Sequence, residues 1–131
     1  MKNNEDILFV PNGSGRTYNM GSLSSVFFAD GEETNNRYSV SEWWLDAHSD
    51  GPGPHSHEEN EELFYVLEGV MTFLIGDNTF EAPKGSFLRI PAKTIHDFTN
   101  KSVLNIFIPG GFEEKMPKIV QWYQDNQNRL E

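Results

Sequence analysis

The sequence predicts an all-β fold, an antiparallel sandwich or barrel of six or more short strands with a short C-terminal helix. Three observations carry this. Short runs rich in β-branched and aromatic residues recur between residues 25 and 108. Gly/Pro/Asn clusters separate them, the pattern of consecutive antiparallel strands. From Phe112 onward the apolar period lengthens: Phe112, Met116, Ile119, Val120 and Tyr123 fall on one helical face.

Taken in order, residues 1–24 are polar and turn-rich, with Ile7–Val10 the one candidate edge strand. Gly13-Ser14-Gly15-Arg16 lacks the Gly-Lys-Ser/Thr that completes a phosphate loop, so it reads as a plain loop. Ser25–Ala29 reads as a strand and Asp30–Asn36 as a turn cluster. Arg37–Asp46 begins with alternation, Tyr38, Val40 and Glu42 on one face and Ser39, Ser41 and Trp43 on the other. Strands follow at Leu63–Leu67, Val70–Ile75, Thr79–Ala82, Ser86–Ile90, Ile95–Thr99 and Val103–Ile108. Glu68-Gly69 joins the first two as a tight hairpin. Pro109-Gly110-Gly111 ends the strands, and a helix is expected over about 113–126, with Pro117 tolerated in its first turn. Its aromatic stripe is expected to pack on the strands.

The 131 residues fit one domain, 1–131, with a barrel core over about 37–112. There is no cysteine, hence no disulfide and no thiolate ligand or nucleophile. The net charge of −10 makes nucleic acid and anionic membranes poor partners, since both require clustered Lys and Arg. No apolar run approaches the ~20 residues of a membrane span, and charges interrupt the N-terminal stretch where a signal peptide is apolar. A cytoplasmic location is therefore the expectation.

The chemistry concentrates in GPGPHSHEENEELFYVLEG, residues 51–69. His55 and His57 are one residue apart, and on extended backbone both imidazoles point to one face. The Gly/Pro approach keeps that backbone extended. Glu62 follows closely, so two imidazoles and a carboxylate begin a metal site. His96 opens a later strand after the Pro91–Thr94 turn. In an antiparallel barrel that strand can lie opposite the one carrying Glu62 and complete the set. His48, in HSDGPGP, reads as a solvated loop side chain.

These two segments resemble the two signature motifs of the cupin superfamily. In the first, four residues separate His57 from Glu62 and six separate Glu62 from Gly69. In the second, Gly85, Pro91, His96 and Asn100 fall at the family's spacing. The chain departs from the family twice. Gly51 and Gly53 miss the strict glycine distance from His55, and Lys93 stands where the second motif has a turn glycine. A left-handed backbone costs more with lysine than with glycine.

The resemblance implies a double-stranded β-helix (jelly-roll) barrel that holds one divalent transition metal on His55, His57, Glu62 and His96, with Glu61 the alternate should the register slip by one. Iron, manganese, nickel, cobalt, copper or zinc all suit such a nitrogen/oxygen set. Parity turns Phe64 and Val66 inward with Glu62, and Phe98 with His96. These three, with Phe73 and Phe107, are the candidate substrate pocket.

Phe64–Gly69 and Pro109-Gly-Gly-Phe112-Glu-Glu further resemble the quercetin-dioxygenase-like branch. That implies oxygen-dependent cleavage of an enolic, diketone or flavonol-like small molecule, with Glu62 as the catalytic proton acceptor. Two alternatives come from other classes: a non-catalytic small-molecule binding module, and a metal-dependent isomerase or decarboxylase. The resemblance also implies a homodimer, with Ile7–Val10 or Ser25–Ala29 as edges that could pair between subunits.

Overall fold

The computed structural model describes residues 7–46 and 52–126. Among them are nine strands: β1 (Arg16–Asn19), β2 (Leu23–Ala29), β3 (Ser39–Leu45), β4 (Glu61–Glu68), β5 (Val70–Ile75), β6 (Asn78–Pro83), β7 (Phe87–Ile90), β8 (His96–Thr99) and β9 (Ser102–Ile108). One helical turn, α1 (Gly31–Thr34), follows β2. A 3-10 turn (Phe112–Lys115) runs into α2 (Met116–Asn126) at the C-terminal end. The strands form two antiparallel sheets, ordered β1-β2-β3-β9-β4-β7 and β6-β5-β8.

Alternation sets the core. β2 reads buried at every second residue, Leu23, Ser25, Phe27 and Ala29, and β4 buries Glu62, Phe64 and Val66. Leu23, Phe27, Phe64 and Val66 join Met71, Phe73, Phe98 and Val103 in one apolar cluster. Burying a phenylalanine fully is worth about 1.5–3 kcal/mol, so Phe27, Phe64 and Phe73, at most 1% exposed, are its main anchors.

Four sequence expectations need correction. Ile7–Val10 forms no strand. Among the described residues no segment pairs with it, and Ile7 and Phe9 are 97% and 79% exposed. The edge strand is instead β1, in a stretch expected to be loop. Arg16, Thr17, Tyr18 and Asn19 pair with Phe27, Val26, Ser25 and Ser24. Consequently Ser25–Ala29 is not a sheet edge, being flanked by β1 and β3. Asp30–Asn36 holds a helical turn, because Asp30 and Glu33 satisfy each other's backbone N–H groups in a capping box.

β1 is tied to the far end of the chain. Arg16 binds Glu113 through both Nε and Nη2, and Nη2 also reaches Glu33 at 2.6 Å. Tyr18 Oη donates to Glu113 Oε2 at 2.7 Å. Asp30 accepts from the backbone N–H groups of Gly111 and Glu113. This network anchors the start of the 3-10 turn, and with it Phe112.

Lys93 adopts the left-handed conformation, φ 68°, which allows its N–H to reach the His57 carbonyl at 2.7 Å. Left-handed backbone costs a side-chain-bearing residue roughly 1–2 kcal/mol, partly offset by the greater unfolded-state entropy of glycine. Lys93→Gly is therefore expected to stabilise the protein by about 0.5–1 kcal/mol. A urea midpoint that stays put or falls would contradict this.

Candidate metal centre

Three pieces of chain bring the site together. β4 supplies Glu62, whose neighbours across the sheet are Ile90 on β7 and Phe107 on β9. β8, in the other sheet, supplies His96. Residues 53–57 lie along β8, where His55 and His96 exchange two backbone hydrogen bonds of 2.9 and 2.8 Å. That pairing places the two imidazoles side by side, ring centres 4.4 Å apart. The Lys93–His57 backbone bond holds the other end of the segment.

The four side chains converge. One donor atom from each of His55, His57, Glu62 and His96 lies within 4.8 Å of all the others. Glu62 and His96 are 2% and 1% exposed. Glu62 Oε1 stands 2.7 Å from His96 Nε2 and 2.8 Å from His57 Nε2. The His57 nitrogen, though that close to the carboxylate, is a buried polar atom without an aligned hydrogen bond. Glu61, the alternate acid, points outward toward Arg89 at 3.7 Å. His48 lies outside the described residues.

The surroundings fix which nitrogen each ring offers. His55 Nδ1–H donates to the Gly53 carbonyl at 2.7 Å and His96 Nδ1–H to the Thr94 carbonyl at 2.9 Å. A carbonyl only accepts, so both rings present Nε2 to the centre, as outer-shell partners of metal-bound histidines commonly arrange. Burial pushes the His55 pKa down, toward the neutral form a metal requires. At His96 burial also favours the neutral ring, but the Glu62 carboxylate outweighs it and raises the pKa. Burial pushes the Glu62 carboxyl up, but His57 and His96 overcome it and hold it down at about 2. Glu62 is thus an anion in the interior.

This arrangement fits a divalent cation. The centre has a buried anion, a His57 nitrogen without a hydrogen bond and two imidazoles locked in the metal-binding tautomer. At bond lengths of ~2.0–2.2 Å, adjacent donors sit ~3 Å apart and opposite donors ~4.2 Å. The two Glu62–histidine separations, 2.7 and 2.8 Å, are close to the adjacent-donor value, and no pair in the set is more than 4.8 Å apart.

Two residues with no place in the sequence reading support the centre. Asp97 Oδ1 accepts from Gly53 N–H at 3.1 Å, steadying the carbonyl that orients His55. Asn105, 2% exposed on β9, donates to Glu62 Oε2 at 3.1 Å. Its signal in the sequence was parity: an amide at an inward position between Val103 and Phe107.

His55, His57 and Glu62 open into a cavity of about 370 Å³. His96 is not part of its wall. Of the predicted pocket residues, Phe98 and Phe107 line the cavity, whereas Phe64, Val66 and Phe73 do not. All three point inward, as parity requires, but at a depth where the two sheets already fill the space between them. The rest of the apolar wall comes from Trp43 and Phe112, with Ile119, Trp122 and Tyr123 of α2. Phe107 and Phe112 stack with ring centres 4.2 Å apart, and both meet the His57 ring edge-on. Burial pushes the Tyr123 phenol up to about 12, so it stays neutral. The helical stripe therefore does more than pack on the strands.

A two-sheet jelly roll with three histidines and a glutamate between its sheets defines the cupin class, and this chain carries a cupin domain. The cupin domain family matches residues 43–107. Quercetin 2,3-dioxygenase of Bacillus subtilis is 36% identical over 63 residues, covering 45% of this chain and 19% of that protein. An uncharacterised protein of Methanocaldococcus jannaschii is 39% identical over 46 residues, 35% of this chain and 37% of that protein. The matched segments thus span well under half of either curated relative.

Among solved structures, an RmlC-like cupin from Shewanella frigidimarina superposes with a TM-score of 0.71 at 17% identity, covering 82% of this chain and 96% of that one. KdgF from Halomonas sp. gives 0.70 at 17% identity over 81% and 96%. A predicted oxalate decarboxylase from Thermotoga maritima gives 0.61 at 20% identity over 68% and 82%. Among the described residues no helix is long and apolar enough to cross a membrane.

Proposed function

We propose that this protein is a metal-dependent, dioxygenase-type cupin acting on a planar small molecule with neighbouring oxygen atoms, of the enolic, diketone or flavonol-like kind. The observation that carries the reading is a three-histidine, one-glutamate cluster opening into an aromatic-walled cavity. The likeness to the Bacillus subtilis quercetin dioxygenase segment supports it.

His55, His57, Glu62 and His96 would hold the metal. When bound, it supplies Lewis acidity toward substrate oxygens and one-electron chemistry toward dioxygen. The protein's own part is binding and orientation. Phe107 and Phe112 offer stacked faces to a planar ring, and Trp43 and Trp122 extend the apolar wall, which excludes water. Lys115, its ammonium 5.7 Å from the Phe112 ring centre, is the one lysine or arginine lining the cavity among the described residues.

Glu62 is the group we assign to accept the substrate's proton. Its proton affinity stays low while His57 and His96 both face Oε1.

The test is oxygen uptake by protein reconstituted separately with iron(II), manganese(II), nickel(II), cobalt(II) and copper(II), on a flavonol and on a 1,3-diketone. Oxygen consumed in step with substrate supports the reading. Tight binding without turnover would replace it with a binding module, and turnover under argon with an isomerase or decarboxylase.

A further inference from the structure

We infer that Asn105 is a positioning residue that restricts Glu62 to one coordinating oxygen and so sets the centre's preference among metals. The inference rests on reading the four-residue cluster as a metal site.

Asn105 sits on the inward face of β9 between Val103 and Phe107, which are 0% and 2% exposed. A primary amide among such neighbours is costly unless its polar atoms are satisfied. The amide Nδ2 carries two hydrogens, and the structure gives it two acceptors: Glu62 Oε2 at 3.1 Å and the Leu63 carbonyl at 3.3 Å. Both acceptors lie on β4, so one side chain clamps the carboxylate and the backbone beside it. Because neither acceptor can donate, the amide has only one sensible orientation.

The effect on Glu62 is directional. Oε2 is held toward Asn105, while Oε1 alone faces His57 and His96 at 2.8 and 2.7 Å. Bringing both oxygens to one ion would require the carboxylate to turn away from Asn105. That would strand a buried N–H, which is expensive. A leucine would share the branching of asparagine without this constraint, and the apolar neighbours Val103 and Phe107 do not by themselves call for an amide here.

The coordination consequence follows. With one glutamate oxygen the protein offers three nitrogens and one oxygen. With two, it offers three nitrogens and two oxygens and leaves one fewer position for substrate. Zinc favours few, nitrogen-rich ligands, whereas manganese accepts six ligands and more oxygen. Releasing the clamp should therefore penalise zinc more than manganese.

The experiment compares the full wild-type chain with Asn105→Leu, and with Asn105→Ser as a second variant should the first not fold. Near-ultraviolet circular dichroism reports folding. Zinc(II) and manganese(II) affinities are measured by chelator competition, and the cobalt(II) visible spectrum reports coordination number. Loss of an outer-shell partner typically costs roughly 10–100-fold in metal affinity. The expected result is a zinc affinity reduced on that scale and a manganese affinity reduced less, shifting their ratio by about fivefold or more. The cobalt bands should move as well. Simple loosening would weaken both metals alike.

An unchanged ratio and an unchanged cobalt spectrum in a folded variant would overturn the inference while leaving the metal site intact. Wild-type protein that binds none of the three metals would remove the metal site and this inference together.

Discussion

His96→Ala is expected to strip the centre of its metal, lowering affinity by more than about 100-fold, beyond the roughly 10–100-fold cost of losing an outer-shell partner. The side chain is nearly sealed from solvent, is oriented by the Thr94 carbonyl and faces Glu62 at 2.7 Å. No other described titratable group is placed to substitute for it. The backbone pairing of His55 with residue 96 uses only main-chain atoms and survives the change. The fold should therefore persist, at a cost of about 1–3 kcal/mol for leaving Glu62 with fewer partners. Metal per chain, measured on protein purified without chelators or a nickel column, checks this. Wild-type stoichiometry in the variant would remove His96 from the site.

Phe64→Ala is expected to cost about 3–5 kcal/mol of stability. Phe64 is 1% exposed and contacts Phe73, Phe98 and His96, with ring centres 5.4, 5.5 and 6.4 Å away. It supports the centre from below without facing the cavity. Denaturant unfolding should show the full loss, whereas affinity for a cavity ligand in folded protein should change much less. A loss under about 1 kcal/mol would mean the site relaxes around the missing ring. Phe107→Ala makes the natural comparison, since that ring faces the cavity and should weaken ligand binding more directly.

The four donor positions were legible because metal chemistry restricts residue type and extended backbone restricts spacing. His55-x-His57 needed only period two, whereas Glu62 rather than Glu61 came from the resemblance to the cupin motif, and parity then put Phe64 and Val66 on the same face. Most of β4 to β9 could be read for a related reason, since each turn carries glycine, proline or asparagine. β1 could not. Arg16-Thr-Tyr-Asn has no apolar alternation, and partners distant in sequence hold it extended, β2 on one side and Glu113, 97 residues away, through Arg16. Ile7–Val10 had strand-like composition but pairs with no strand among the described residues, and composition alone does not make a strand.

Depth was equally hidden. Period two shows that Phe73 points inward, but it does not say whether the residue lies beside the metal or beneath it. Asn105 was visible only as a polar residue at an inward position, and that signal acquires meaning once Glu62 is known to lie beside it.

The ligands and the selectivity surface belong to different parts of the molecule. All four donors come from strands or from the segment pinned to β8, whereas Ile119, Trp122 and Tyr123 reach the cavity from α2, beyond the last strand. Changes in that helix can recontour the chamber while the inner coordination stays as it is. Substitutions there should diversify which molecules are admitted before they alter what is done to them, which makes α2 the natural place to retune the protein's diet.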